Sequence, residues 1–491
     1  MKKTFKSMVI LLVLALAFST FSTSMANDSV EASFLVVFKS ETLPENAEQV
    51  VNEAGGTITY EVPEIGVVEA TTTSPTVFLA HMLDSQEVRT VGPSLAVDLN
   101  LPEFSVDEES SSTTGHEPVP VEENIWEAGW QWDIEQVTNQ FESHSVHTGT
   151  HDVVVGVIDT GFDFNHPDLK NNIVPGSKTF VPGTADAWDA HSHGTHVAGT
   201  IAANGRVKGV APDVGVRAYR VFDTGSAQQI WITNAIIAAA NDGVDVINMS
   251  LGGTRVKGQW FYTDEETGER INLGNDAADI VAYNRAIRYA INKDVTVVSS
   301  AGNSGQDLSN PASVTEWYNQ NLQESGETQY EVKGATFYVP TQIPGVITVS
   351  ATGGGFGTDE RLAFYSNYGN GAVNLGAPGG DLGPDYPEIN EDDYKYLVLS
   401  TVPTYLSQSS VAVELFGEGG YGWKGGTSMA SPQVAGAAAA YISQVYEETG
   451  NKPSPSQVKT ALQQTAEDAG KNGYDKYYGH GIVNIYNALT R

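Results

Sequence analysis

The sequence predicts an α/β fold: a mostly parallel sheet covered by helices on both faces, preceded by a small α+β unit. Three observations predict it. Short apolar runs alternate with longer helical patterns from Val153 to Gln464, and alternating β and α favours parallel pairing through crossover helices. Ahead of them lies a shorter stretch with its own strand and helix order. The length, 491 residues, exceeds one typical domain and allows a large core.

The chain opens with Lys2, Lys3 and Lys6, an apolar run from Met8 to Phe18, and small residues ending in Ser24-Met25-Ala26. This reads as an export signal over 1–26. The alternative, a membrane anchor, is disfavoured because the run is short for a bilayer. Residues 27–100 then read as strand Phe34–Phe38, helix Pro44–Ala54, strands Thr57–Glu61 and Val67–Thr71 about the Pro63–Gly66 turn, helix Pro75–Leu83 and strand Ser94–Leu99. That βαββαβ order is ferredoxin-like. Residues 101–124 lose apolar periodicity (EESSSTTGHEPVPVEE) and read as a solvated acidic Ser/Thr/Pro linker.

From 125 to 491 the composition is globular. Strands are expected at Val153–Ile158, Val214–Val221, Val244–Asn248, Val295–Ser300, Val346–Ser350 and Val373–Leu375. Helices are expected at His193–Ala203, Ala227–Asn241, Ala277–Asn292, Ser428–Val445 and Ser454–Gln464. In such sheets functional residues gather at the carboxyl ends of the strands.

Charge and cysteine content narrow the function classes. The net charge is −34, from 60 acidic and 26 basic residues. Such a surface repels nucleic acid and anionic membranes and favours solubility and basic peptides. The absence of cysteine excludes disulfides and a thiol nucleophile. No second run is long and apolar enough to cross a bilayer, so a secreted, extracellular protein is expected.

Four short motifs carry the chemistry: VIDTG (Val157–Gly161), HGTHVAG (His193–Gly199), SSAGNSG (Ser299–Gly305) and GTSMASP (Gly426–Pro432). Serine is a poor nucleophile until a base takes its proton. Ser428 opens an Ala-rich helix, whose N–H groups and dipole favour a developing oxyanion; alone, it would read as an ordinary helix cap. His193 is the candidate base and Asp159 the carboxylate that orients it. His191 is the rival base and His196 a packed structural histidine. A zinc reading of the three histidines lacks a HExxH-type glutamate and a fourth ligand. Asn303 offers an amide donor to an oxyanion.

In the chain order Asp…His…Ser these motifs resemble those of the subtilisin-like serine peptidases, or subtilases. The resemblance covers nearly the whole chain. It implies a three-layer subtilisin-like fold behind an inhibitor-type propeptide that chaperones folding and then blocks the site. It implies Asp159, His193, Asn303 and Ser428 as orienting acid, base, oxyanion donor and nucleophile. Ser250, Leu251 and Gly252 match the strand that pairs with substrate, and Ala301 and Gly302 match the opposite pocket wall. Tyr338, just before the Val339-Pro340 dipeptide, falls near the floor of the primary pocket.

Two departures stand out. Calcium-bearing members have a longer loop after the catalytic histidine, whereas Ile201–Pro212 is short and holds Arg206 and Lys208; Asp168 alone does not make a calcium site. No cofactor is otherwise required. Insertions at Gln306–Tyr338 and Gly380–Gly425 flank the cleft and are expected to shape specificity. A broad extracellular protease, made as a self-processed precursor, is the favoured reading. The alternative is a leader-peptide maturation protease of the lantibiotic type, whose style FYSNYGNGAVNLGAPGGD shares. A non-catalytic binding protein on the same scaffold is a remote third, since all four positions are filled. Expected partners are a protein or peptide substrate and the chain's own propeptide, with no nucleic acid and no membrane after signal removal.

Overall fold

The computed structural model describes residues 31–99, 113, 116–222, 225–265, 267–355, 361–388, 390 and 393–491. The expected signal segment and residues 101–112 of the expected linker lie outside them. No helix among the described residues is long and apolar enough to cross a membrane.

The first unit is a four-stranded antiparallel sheet. Ala32–Phe38 lies between Val67–Thr72 and Val88–Pro93, and Thr57–Val62 pairs on the outer side of Val67–Thr72. Phe34, Val36 and Phe38 share a core with Val51, Phe78 and Met82 of the helices Ala47–Glu53 and Pro75–Asp84. The strand expected at Ser94–Leu99 does not close this sheet. Val88–Pro93 takes that edge, and its mixed VRTVGP pattern concealed it. Ala96–Asp98 instead pairs antiparallel with Ser226–Gln228 of the second unit.

The second unit holds a seven-stranded parallel sheet in the order 375–378, 347–352, 296–300, 246–249, 154–159, 215–220, 178–179. Its strands are buried on both faces, as the apolar runs require. The helices His193–Ala202, Thr427–Thr449 and Pro455–Thr465 share one core with one face. Gln229–Asn241 and Ala277–Ile291 share a second core with the other, which gives the three layers. Two boundaries differ from expectation. Residues 226–228, expected as a helix start, are extended because they meet Ala96–Asp98. The last sheet strand is Leu375–Pro378, two residues later than its apolar run suggested.

The insertions are folded. Within Gln306–Tyr338, the helix Pro311–Glu324 packs beside Tyr330–Lys333 and Thr336–Val339, which pair with Gln259–Thr263 and Gly253–Val256. Trp260, Tyr318, Leu322 and Val332 share a core cluster with the first unit's Phe34 and Phe78, so this insertion supports the N-terminal unit. In Gly380–Gly425, the hairpin Val398–Thr401/Tyr421–Lys424 backs the helix His193–Ala202. The Thr401 hydroxyl donates to the Thr195 carbonyl at 2.8 Å and the Ser400 hydroxyl to that of His196 at 2.9 Å. These contacts brace the cleft from behind.

Residues 116–124 of the expected linker are mostly exposed, with Val119 the one buried side chain among them. Val119 and Ile125 are buried with Trp130, Tyr394 and Phe416, and the Val119 amide donates to the Leu415 carbonyl. Arg206 explains the order. Its guanidinium donates to four backbone carbonyls: Phe416 at 2.7 Å, Glu123 at 2.9 Å, Pro120 at 3.0 Å and Val119 at 3.1 Å. One fixed cation thus joins three chain segments.

Polar groups around the same loop are engaged internally. Asp168 Oδ2 already accepts from the Val207 amide and the Tyr421 hydroxyl, each at 3.0 Å. The Gln131 side chain donates to the Lys208 carbonyl at 2.9 Å and accepts from its amide at 2.8 Å. These oxygens are taken by donors, and the Arg206 guanidinium and the Lys208 ammonium lie in the same loop. Arg206→Ala should therefore cost about 2 kcal/mol of stability, the scale of hydrogen bonds to a charged group. Thermal melts of wild type and variant with and without a chelator check both points: the variant melts lower, and the chelator moves neither by more than a few degrees.

Candidate active site

Asp159 ends its strand and His193 begins a helix, and the two meet with both side chains fully buried. His193 Nδ1 lies 2.8 Å from Asp159 Oδ1 and 3.0 Å from Oδ2. A carboxylate only accepts, so Nδ1 carries the hydrogen and Nε2 of the neutral ring presents a lone pair. The approach needs a bare backbone: a Cβ on Gly194 would lie 2.3 Å from the Gly161 carbonyl oxygen. Thr160 holds the helix start, accepting from the Gly194 amide and donating to Asp189, both at 2.8 Å. Asp189 also accepts from the Thr195 amide and hydroxyl at 2.9 and 2.6 Å.

The other two histidines are placed differently. His196 faces the Val398 carbonyl at 3.1 Å, and burial holds it well below the usual histidine range. His191 is likewise lowered, chiefly by burial, with His193 and Lys424 adding to it. Neither touches Asp159, and no group of metal-ligating side chains forms among the described residues.

Ser428 sits in the first turn of the helix Thr427–Thr449, and Pro432 explains its setting. Proline has no N–H, so the carbonyl one turn earlier loses its helical donor. That carbonyl is Ser428's, and the Ser250 hydroxyl donates to it at 2.8 Å. The Asn248 side chain donates to the Ser250 oxygen at 3.0 Å. Ser428 Oγ donates to the Ser250 carbonyl at 3.2 Å, and His193 Nε2 has no protein partner. Such contacts commonly tighten only when substrate binds.

Asn303 follows the strand Thr296–Ser300 and is aligned by Thr427, whose amide and hydroxyl donate to its Oδ1 at 2.9 and 2.8 Å. With the oxygen end held, the amide nitrogen turns the other way. Ala301 and Gly302 continue the same wall. Gly302 has φ +97, and a Cβ there would lie 2.5 Å from the Tyr338 ring. Tyr338 is buried with Leu308 and Val314, and its hydroxyl lies 2.6 Å from Ser304 Oγ, next to Asn303. Tyr338 is thus packed between the Gly302 wall and the insertion's own Leu308 and Val314.

Ser250, at the start of the expected substrate-pairing run, contacts Ser428. The segment that crosses from the first unit pairs with a second extended stretch, Ser226–Gln228. The Leu99 amide donates to the Gly225 carbonyl at 2.8 Å, and the Gln229 amide to that of Leu95 at 2.9 Å. Nothing in SAQ marks a strand; only the pairing reveals it. Sequence reading also missed Lys424, four residues before Ser428. Its ammonium donates to Ser192 Oγ at 2.9 Å, directly before His193. Burial lowers its pKa, opposed by the Asp189 and Asp159 carboxylates.

A buried carboxylate–imidazole pair, a serine at a helix start and an amide side chain held by its oxygen supply the residue types of an acyl-transfer set. The Subtilase family model matches residues 150–481, and the chain belongs to that family as a serine endopeptidase. It is 27% identical to the epidermin leader peptide-processing serine protease of Staphylococcus epidermidis, over 99% of each chain. It is 29% identical to subtilisin NAT of Bacillus subtilis subsp. natto, over 96% of this chain and 95% of that one. Among solved structures it resembles the epidermin leader peptide processing protease of Staphylococcus aureus, with TM-score 0.71, 26% identity, and coverage of 94% and 98%.

Proposed function

We propose that this subtilase is a maturation protease that removes a leader segment from a peptide precursor. The observation that carries the reading is end-to-end similarity to a leader peptide-processing protease, N-terminal unit included. It displaces the broad extracellular protease that the sequence alone favoured. That reading keeps support from the similar coverage of subtilisin NAT. Tyr338 favours the narrower role. Packed against Gly302 with its hydroxyl on Ser304, it shortens the primary pocket and selects small or polar residues before the cut.

In this mechanism substrate lies extended along Ser226–Gln228, bonded through its main chain. Ser428 Oγ attacks the carbonyl carbon as His193 Nε2 takes its proton, and Asp159 stabilises the imidazolium. The Asn303 amide and the Ser428 N–H hold the oxyanion; the side-chain donor contributes roughly 3–4 kcal/mol, a magnitude measured on subtilisin. His193 then returns the proton to the leaving amine, and water repeats the sequence on the acyl-enzyme.

The protein is made as an exported precursor of signal 1–26, propeptide 27–100, linker and peptidase, and it needs no calcium at 201–212. The pairing of Ala96–Asp98 with Ser226–Gln228 supports a propeptide whose end follows the cleft, with self-cleavage near Leu99–Glu103.

Ser428→Ala and His193→Ala should each remove most of the activity, and the double variant should lose little more, because the groups act as one unit. Single-turnover rates check this; additive losses count against the assignment.

Cleavage-site mapping in an unbiased peptide mixture separates the two roles: a few sites for a maturation protease, many for a broad one. In the same assay Tyr338→Gly should gain hydrolysis after phenylalanine. A wild type that prefers phenylalanine removes Tyr338 from the pocket floor.

A further inference from the structure

One buried arginine is used by neither the fold of the peptidase unit nor its chemistry. Arg285, on the helix Ala277–Ile291, is 3% exposed. Its Nη1 donates to the carbonyls of Ile65 at 2.7 Å and Ser40 at 2.9 Å. Its Nη2 donates to those of Phe38 at 2.7 Å and Lys39 at 3.4 Å. Every side-chain hydrogen bond it makes among the described residues thus crosses to the N-terminal unit, and its Nε has no partner there. Once that unit departs, none of these bonds remains.

The receiving surface is shaped for this group. The carbonyls come from the end of Ala32–Phe38 and from the turn Pro63–Ile65, which Gly66 closes at φ +60. A Cβ on Gly66 would stand 2.6 Å from the Ser40 oxygen and 3.2 Å from Arg285 Nη1. A planar fork of donors matches a cup of neutral oxygens in a way an ammonium cannot. The neighbouring ion pair differs in kind. Arg288 and Glu41 meet at 2.5 Å with about half or more of each side chain exposed, so water and salt screen it. Arg285 is shielded, and its carbonyl partners do not titrate.

We propose that Arg285 is a latch that sets how long the cleaved N-terminal unit stays on the peptidase. The proposal rests on reading that unit as an inhibitory propeptide. It adds the residue that separates cleavage from activation. After the chain is cut, the strand in the cleft loses its covalent tether, and the guanidinium in its carbonyl cup keeps the blocking strand in place.

The test follows full-length precursors of wild type, Arg285→Ala, Arg285→Lys and Arg288→Ala. Self-cleavage is read on gels in parallel with activity on a short peptide. All four should be cut at similar rates. The delay between cleavage and activity should shorten roughly tenfold or more in Arg285→Ala, where the cup loses its charged donor. It should shorten partly in Arg285→Lys, and by no more than about twofold in Arg288→Ala. Fully matured enzymes should share one kcat/KM, which a general defect of the peptidase would not allow. An unchanged delay in Arg285→Ala overturns the latch. If that precursor does not fold, Arg285→Lys carries the same test, and its unchanged delay overturns the proposal. A wild-type precursor active before cleavage overturns the inhibitor reading and the latch with it.

Discussion

The burial of Asp159 against His193 constrains everything around it. An ionised carboxylate removed from water needs its oxygens satisfied. Here the imidazole Nδ1–H and the Thr160 amide do so. That requires a strand end and a helix start at contact distance, hence Gly161 and Gly194 at the crossing. The layer behind must then hold the helix, a task shared by Asp189, Thr160 and the Val398–Thr401 hairpin. The nucleophile is positioned by a second local conflict. Pro432 breaks one helical bond, and Ser250 repairs it, tying the serine's helix to the strand wall that borders the cleft.

A protein without cysteine, carrying many more acidic than basic residues, has few cations with which to join its parts. Two of them are used alike. Arg206 gathers carbonyls from the 119–123 segment and from Phe416, and Arg285 gathers carbonyls from the N-terminal unit. Main-chain oxygens carry no charge to be protonated, so these junctions tolerate changes of pH. The first junction is internal to the peptidase unit. The second spans two units whose connection is expected to be cut, which makes one structural and the other temporary.

How far the sequence could be read depended on how local each signal was. The sheet strands, the long helices and the four motifs were legible because apolar period and turn chemistry act within a few residues. Val88–Pro93 was not, since glycine, threonine and arginine dilute its pattern, and only the open edge of Ala32–Phe38 makes it a strand. Segment 226–228 read as helix and became extended by pairing with Ala96–Asp98. Residues 116–124 read as solvated and are mostly exposed, but a guanidinium some eighty residues away in sequence holds three of their carbonyls, which no local pattern signals.

By itself the sequence determined the α/β class, the N-terminal α+β unit, the motifs that carry Asp159, His193, Asn303 and Ser428, and the basic character of the loop after the histidine. These follow from residue type and short-range period. Only the tertiary structure decided which edge receives the extended chain, what Tyr338 packs against, how the insertions brace the site and the N-terminal unit, and where Lys424, Arg206 and Arg285 place their charges. Each of those depends on partners distant in sequence, and a side chain's role there is set by the carbonyl, carboxylate or strand edge that folding brings opposite it.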